Sequence, residues 1–305
     1  MDLSMPLKRK GIVGVGLSMD SQYLRLARCA LEGGKVRVDE LREAPLKALD
    51  SGALVQALEG LSLSSQTPVA VALPAEGLKG RSLQIPSIPD RDVPDALLWQ
   101  MRREEEGDSQ ELMIRSTSLQ FPAAEPGKKR FQVWAFPRQR TLQLLQDLKV
   151  AKVKAVAGEP FPLSIAAWQV RLDPASEKVR GIFYFQSDRI DFFALKGRQF
   201  LDWKALPEIR VPKGGEPLGS SIITVLQHCL EDFLFQHHLE AFDALVLAGQ
   251  VDPSLAELLR RSLGLRCELL GLSTDQVTYS NEGLREQAPK YALALGLSLF
   301  PREAL

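Results

Sequence analysis

The feature that most constrains the fold is a strand pattern that occurs once in each half of the chain. Residues 11–17 are apolar and rich in glycine, and residues 22–28 and 35–41 alternate polar and apolar side chains. A similar series of three strand-like segments occurs at residues 181–185, 189–195 and 199–206. In each half a helical pattern and a short apolar strand follow. Two β-meanders, each continued by helix and strand, predict a two-lobed α/β protein built by internal duplication.

Composition narrows the classes of function. The 38 Lys and Arg residues balance 38 Asp and Glu residues, so no basic excess points to nucleic acid. The three cysteines lie far apart, which favours a reducing, cytoplasmic setting. The longest apolar runs fall short of the roughly 18 residues that cross a bilayer, so we expect no direct membrane insertion.

The pattern changes from Arg81 onward, where short strands and a proline-rich helix start predict a small α+β subdomain inserted in the first lobe. The expected division is residues 1–80 for the core of the first lobe, 81–157 for the insert, 158–178 for an interlobe helix and linker, 179–287 for a shortened second lobe, and 288–305 for a C-terminal helix that packs back on the first lobe.

Several short motifs occur in an order that resembles a known family. They are the hairpin at residues 14–26, Val-Ala-Leu-Pro at 71–74, Leu-Gln-Ile-Pro at 83–86, Glu-Pro-Phe at 159–161, and the small-residue helix at 288–299. Together they resemble the FtsA/PilM branch of the actin-like ATPase superfamily, and the type IV pilus assembly members in particular. The resemblance implies a two-lobed actin-like, ribonuclease-H-like duplicated fold with a subdomain inserted in the first lobe.

The same resemblance implies a degenerate nucleotide site. Active members carry an Asp-x-Gly turn in each hairpin, where the acid positions Mg²⁺ and the turn amides hold phosphate. Residues 11–19 and 181–187 contain no carboxylate, and Tyr184 stands where the second acid is expected. We therefore expect a pseudo-ATPase with no cofactor, metal or catalytic residue. The remnants of the cleft would be Gly16, Ser18, Gln186, Ser187, Gly249 and Gln250.

PilM-like members imply a binding function. The chain would be a cytoplasmic scaffold of a type IV pilus or related secretion machine, held at the inner membrane by its partner. That partner would be the cytoplasmic N-terminal tail of a PilN-like single-span protein, bound between the first-lobe body and the insert, alongside other pilus machinery proteins. The candidate lining residues are Leu83, Ile85, Leu97, Met101, Phe131 and Val133, with Arg102 and Arg103 for an acidic group. Packing within the insert is the alternative role of the six apolar residues.

The sequence also leaves other functions open. An active actin-like ATPase or sugar-kinase relative, and an FtsA-like filament former, remain alternatives to the scaffold. The run that begins at Gly14 lacks the third glycine of a dinucleotide fingerprint, because Met19 occupies that position. His228 and Asp232 share a helix face, but the spacing supplies no third ligand for zinc. The four tryptophans are expected in the core.

Overall fold

The computed structural model describes most of the chain. The described residues are 12–32, 35–46, 51–61, 63, 68–73, 75, 77–104, 111–120, 123–186, 189–206, 220–251, 253–271 and 275–300. Ser187 lies outside them, as do the predicted turn at residues 33–34 and the last five residues of the chain.

The first lobe is built on a six-stranded mixed sheet. Its strands are β1 (Ile12–Met19), β2 (Tyr23–Glu32), β3 (Lys35–Pro45), β4 (Pro68–Ala72), β8 (Lys154–Glu159) and β14 (Val277–Tyr279), in the order β14-β3-β2-β1-β4-β8. The first three strands form the predicted antiparallel meander, and β4 pairs parallel to β1. Helices α1 (Ser51–Gly60) and α3 (Arg138–Val150) cover one face through leucines such as Leu54 and Leu144.

The second lobe repeats this arrangement in a five-stranded sheet. Its strands are β9 (Val179–Phe185), β10 (Ile190–Lys196), β11 (Gln199–Leu206), β12 (Ala244–Gly249) and β13 (Cys267–Leu269), in the order β11-β10-β9-β12-β13. Helices α5 (Ser220–Gln236) and α6 (Pro253–Leu263) pack on one face. The duplicated meander and the mixed α/β class predicted from the alternating patterns are confirmed.

The insert is smaller than the predicted span of residues 81–157. It comprises a separate antiparallel sheet, β5-β7-β6, and one helix: β5 (Lys79–Pro86), α2 (Val93–Glu104), β6 (Leu112–Leu119) and β7 (Lys128–Pro137). Helix α3 packs in the first-lobe core, and β8 pairs with β4. The prediction placed both in the insert because a local helical or apolar pattern does not reveal which sheet it joins.

Two helices fill the space between the lobe sheets. Helix α4 (Phe161–Leu172) buries all but one of its residues, and a short 3₁₀ turn (Ala288–Tyr291) leads into α8 (Ala292–Leu297), which packs on α4 and β1. Close approach requires glycine here, because a Cβ at Gly296 would lie 1.9 Å from the backbone oxygen of Ser164.

The last part of the predicted second lobe packs with the first lobe instead. Strand β14 was not predicted from the sequence, and it pairs parallel to β3 in the first-lobe sheet. Helix α7 (Glu282–Gln287) follows it, with the Asn281 side chain accepting from the Leu284 backbone N–H. Residues 277–287 therefore belong to the first-lobe sheet and its surroundings, and three residues of strand were too short a pattern to predict. Among the described residues, no helix combines the length and the apolar character that spanning a membrane requires.

Candidate functional site

The glycines expected at the nucleotide cleft have packing roles. A Cβ at Gly16 would lie 1.9 Å from the backbone oxygen of Ala294, so this glycine lets β1 and α8 touch. Gly249 ends β12 with a φ of 89°, and a Cβ there would lie 2.0 Å from the backbone oxygen of Phe185. Ser18 is buried on β1. The two glycines thus allow neighbouring elements to pack closely within the protein.

A buried carboxylate lies just beyond the first strand. Asp20 accepts hydrogen bonds through Oδ1 from the backbone N–H groups of Gln22 and Tyr23, both at 2.8 Å. Its Oδ2 accepts from Nη1 of Arg25 at 2.5 Å, and Nε of Arg25 donates to Glu43 at 2.8 Å. Asp20, Arg25 and Glu43 are hereafter the Asp20 cluster. Burial is the largest single influence and opposes the charge on Arg25, but Asp20, Tyr184 and Glu43 together outweigh it, so the pKa of Arg25 is raised.

A second buried carboxylate lies in the second lobe. Asp191 is fully buried on β10 and accepts from Gln186 Nε2 at 2.6 Å, from Arg189 Nε at 2.8 Å and from Trp203 Nε1 at 3.1 Å. These four residues are hereafter the Asp191 cluster. Burial raises the pKa of Asp191 to about 6 even though its three donors, led by Arg189, pull the pKa the other way. Of the predicted remnants of the cleft, Gln186 thus belongs to the Asp191 cluster, and Gln250 borders the Asp20 cluster.

Each cluster touches the other lobe. Gln250 Nε2 donates to Asp20 Oδ2 at 3.4 Å, which joins the second lobe to the first. Arg189 Nη1 donates to the backbone oxygen of Ala75 at 3.4 Å, and its guanidinium lies 5.2 Å from the ring centre of Phe161. The lobes therefore meet through specific polar contacts between a turn of each meander, at Asp20 and Arg189, and the segments that follow β12 and β4.

The donor set does not fit a nucleotide-bound magnesium ion. Both oxygens of Asp20 are engaged by donors of the protein, and its nearest charged group is the cation of Arg25. A carboxylate that holds Mg²⁺ needs an oxygen open to the ion or its waters. Among the described residues, no group of three or more His, Cys, Asp or Glu side chains could hold a metal ion. Asp232, considered with His228 as a zinc pair, instead forms an ion pair with Lys204 at 3.4 Å.

The six apolar candidates for partner binding lie inside the insert. They pack together with α2 against one face of the three-stranded sheet, and each is less than 9% exposed. They are Leu83, Ile85, Leu97, Met101, Phe131 and Val133. Packing of the insert accounts for them in this structure, because side chains this buried offer no surface to a partner. The sequence signal, apolar alternation on strands, is the same for a core and for a groove wall.

The basic candidates and one tryptophan lie on the outer surface of α2. Arg102 and Arg103 are exposed, and the Arg103 guanidinium lies 5.4 Å from the ring centre of Trp99. Trp99 is 62% exposed, which departs from the expectation that all four tryptophans are core residues. Trp134 and Trp168 are fully buried, and Trp203 is 9% exposed.

A cleft opens where the insert meets the second lobe. It has a volume of about 610 Å³, and it lies between β5, α2 and β11. We call it the β5 cleft. Its lining residues are Gly80, Arg81, Ser82, Leu83, Gln84, Gln100, Asp202 and Trp203. Trp203 connects it to the Asp191 cluster, because its indole N–H donates to Asp191 while its ring covers Gly80.

Sequence reasoning missed the two charged clusters and the cleft. A signal for the clusters was present: Arg25 and Asp191 are charged residues within strands whose neighbours are apolar, such as Leu24 and Phe192. A charge at an inward position of a strand is buried, and a buried charge requires a partner. The partners come from distant parts of the sequence, so no local pattern identifies them.

Comparisons with known proteins define the fold class. No protein-family model matches the chain, and no curated protein matches it by sequence. Solved structures do match: the chain has the actin-like ATPase fold. One is a Bacteroides thetaiotaomicron protein of unknown function with that fold, at a TM-score of 0.50 and 10% identity over 84% of this chain and 90% of that chain.

The solved structures include components of a pilus biogenesis complex and of a secretion system. A chain of a PilM–PilN type IV pilus biogenesis complex matches at a TM-score of 0.78 and 19% identity, over 94% of this chain and 97% of that chain. The cytoplasmic domain of EpsL, an inner-membrane component of the type II secretion system of Vibrio cholerae, matches at 0.52 and 12% identity, over 95% and 99%. At these identities, the similarity establishes the fold.

Proposed function

We propose that this protein is a non-catalytic scaffold of a type IV pilus or related secretion machine, and that it binds the cytoplasmic tail of a PilN-like membrane protein. The observation that carries the proposal is the similarity to a chain of the PilM–PilN complex, which extends over almost all of both chains. The EpsL domain supports a related setting, because it comes from an inner-membrane component of a type II secretion system.

The residues between the lobes support a non-catalytic function. The glycine of β1 packs on α8, and the carboxylate that follows β1 is neutralised by Arg25. An enzyme of this fold would need an acid free to position metal and water at the same place. Asp191, the other buried acid, is likewise enclosed by three protein donors. The cytoplasmic location, held at the inner membrane by the partner, follows from this proposal.

Titration calorimetry tests the proposal. The probe is a synthetic peptide with the sequence of the cytoplasmic N-terminal tail of a PilN-like single-span membrane protein from the same organism, and a scrambled peptide is the control. Saturable binding of the native sequence alone supports a scaffold. Absence of binding, together with steady release of phosphate from Mg-ATP by the purified protein, would replace it with the ATPase alternative.

A further inference from the structure

Helix α3 exposes a group of aliphatic side chains on the outside of the first lobe. Of the seven large apolar side chains that are exposed in the described part of the chain, three lie on this helix: Leu142, Leu145 and Val150, which are between 36% and 58% exposed. We call these three residues the α3 patch. Packing does not require them, because Leu144 and Leu148 hold the other side of the helix in the first-lobe core. Single exposed leucines are ordinary, but three such side chains on one short helix form a patch.

Lysine side chains border the α3 patch. Leu142, Leu145 and Lys149 are spaced i, i+3 and i+7, so they share one side of the helix. Lys152 follows in the turn that ends the helix, where its backbone N–H bonds the carbonyl oxygen of Lys149. Both lysines are exposed, and neither forms an ion pair with any residue that the structure describes. Their charges are therefore available to a partner.

Few acidic groups offset this positive charge. Residues 138–152 contain four basic residues and one acid, Asp147. Asp147 is 7% exposed, so it lies on the buried side of the helix. Glu111 pairs with Arg138 at the first residue of the helix, and Glu59 is the one acid of the neighbouring helix α1. The unpaired positive charge is therefore concentrated at the C-terminal end of α3.

The α3 patch lies on the side of the first-lobe sheet that is away from the second lobe. In strand β4, Val69 and Val71 pack with α1 and α3, whereas Ala70 and Ala72 pack with the interlobe helices α4 and α8. Because successive residues of a strand point to opposite faces, α3 and the interlobe helices cover opposite faces of the sheet. A surface that docks on α3 therefore approaches the first lobe from outside.

The residue types of this helix surface favour lipid over a protein partner. Protein interfaces are enriched in aromatic residues and arginine and depleted in lysine. Leucine and valine are also under-represented among the residues that dominate binding energy in such interfaces. Aliphatic side chains beside lysines on one helix are instead typical of helices that lie at a membrane surface, where anionic headgroups attract the lysines.

We propose that the outer side of α3 contacts an anionic phospholipid bilayer, with the α3 patch in the headgroup region and Lys149 and Lys152 bound to lipid phosphates. This inference goes beyond the proposed function and rests on it only for the location at the inner membrane. The contact is peripheral, because the other side of α3 is packed in the first-lobe core. A weak contact is sufficient, since the partner's tail holds the protein near the bilayer and raises its effective concentration there.

Co-sedimentation of the full chain with lipid vesicles tests the inference. We expect binding to vesicles of phosphatidylcholine mixed with phosphatidylglycerol and none to vesicles of phosphatidylcholine alone. Binding to the mixed vesicles should weaken as the salt concentration rises, because salt screens the attraction between lysines and headgroups. Equal binding to the two kinds of vesicle, or binding to neither at millimolar lipid, would overturn the inference.

Four single substitutions locate the contact. Lys149→Glu should lower the partition coefficient by more than about fivefold, which is the contribution of one lysine near an anionic surface. Leu142→Gln should also lower it, because an apolar group is lost. Lys178→Glu and Val225→Gln are the matched controls, since both positions are exposed and lie away from α3. Thermal unfolding confirms that the variants fold. Equal losses in the controls would contradict a contact at α3.

Calorimetry with the tail peptide separates this inference from the proposed function. Lys149→Glu and Leu142→Gln should bind the peptide as tightly as the parent protein does. Normal peptide binding by a parent protein that does not bind vesicles would overturn the lipid contact and leave the proposed function standing. Weaker peptide binding by the two folded variants would mean that this side of α3 binds polypeptide, which would also overturn the lipid contact.

Discussion

Gln250 of the second lobe donates its side-chain Nε2–H to the Oδ2 atom of Asp20 in the first lobe, across 3.4 Å. The contact joins the end of β12 to the turn that follows β1, the two places where an actin-like ATPase would be expected to hold its nucleotide. The two lobes therefore contact each other directly at this point, and side chains of the protein itself make the contact.

Removing this contact is expected to destabilise the protein moderately. Gln250→Ala leaves Asp20 with its other donors but removes one hydrogen bond to a charged group, which should lower the free energy of unfolding by about 1–2 kcal/mol. Gln227→Ala is the matched control, because Gln227 bonds Glu231 on an exposed helix face and should change stability by less than about 0.5 kcal/mol. Urea unfolding measures both. Equal effects of the two substitutions would show that the interlobe bond contributes nothing.

The buried Asp191 predicts a specific pH dependence. Its carboxyl group ionises near pH 4 when unfolded but at about pH 6 when folded. The folded state binds the extra proton between these values, so the contribution of Asp191 to the free energy of unfolding falls as pH rises from 4 to 6. A shift of about two pH units corresponds to about 3 kcal/mol.

The Asp191→Asn variant isolates that contribution. We expect the unfolding free energy of the parent minus that of the variant to fall by about 3 kcal/mol between pH 4 and pH 7. Taking the difference removes other buried acids such as Glu159, whose pKa burial also raises. Urea unfolding at a series of pH values measures it. A difference that stays constant, or rises with pH, would contradict the raised pKa.

The close approach of β1 and α8 predicts intolerance to a single methyl group. Gly16→Ala would place a Cβ 1.9 Å from the backbone oxygen of Ala294, and a backbone contact cannot be relieved by rotating a side chain. We expect a loss of about 3 kcal/mol of stability, at the upper end for overpacked sites. Gly60→Ala has no atom within 4 Å of the new Cβ and should be neutral or slightly stabilising. Calorimetric melting of both variants measures the contrast, and similar melting temperatures would refute it.

The unpaired amide of Gln132 predicts a stabilising substitution. Gln132→Met keeps a similar shape in the insert sheet while removing two buried atoms without hydrogen-bond partners. The free protein should gain about 1 kcal/mol of stability. The comparison variant is Thr117→Val, because Thr117 is buried and is paired with Gln132 across the sheet, so it measures the effect on stability of a polar-to-apolar substitution at a neighbouring position. Destabilisation by Gln132→Met would mean that the amide is already paired in solution.

The sequence was sufficient for the architecture because the relevant signals are local. Period-two alternation in residues 22–28 and 189–195 predicts the hairpins, and the helical spacing of leucines predicts α1. It was insufficient for the insert boundary and for β14, since sheet membership depends on contacts distant in sequence. Strand β14 has three residues, and they pair with Val36, Arg37 and Val38 of β3, which lie about 240 positions earlier in the chain.

For the candidate site, too, the sequence was sufficient for one part of the description and insufficient for the rest. The sequence alone shows that residues 11–19 and 181–187 contain no acids, and it indicates Gly16 and Gly249 as cleft residues. The packing roles of these two glycines are evident only in the folded structure. The apolar residues of the insert, including Leu97 and Val133, were proposed as a groove and lie in a core. A strand pattern specifies which side chains share a face and leaves open what covers that face.

Thermal unfolding in the presence of each candidate ligand is the measurement that tests the scaffold most directly. The tail peptide at about 100 times its dissociation constant should raise the melting temperature by about 4 °C, while Mg-ATP at millimolar concentration should leave it unchanged. A rise with Mg-ATP and none with the peptide would contradict the account and identify a nucleotide-binding protein.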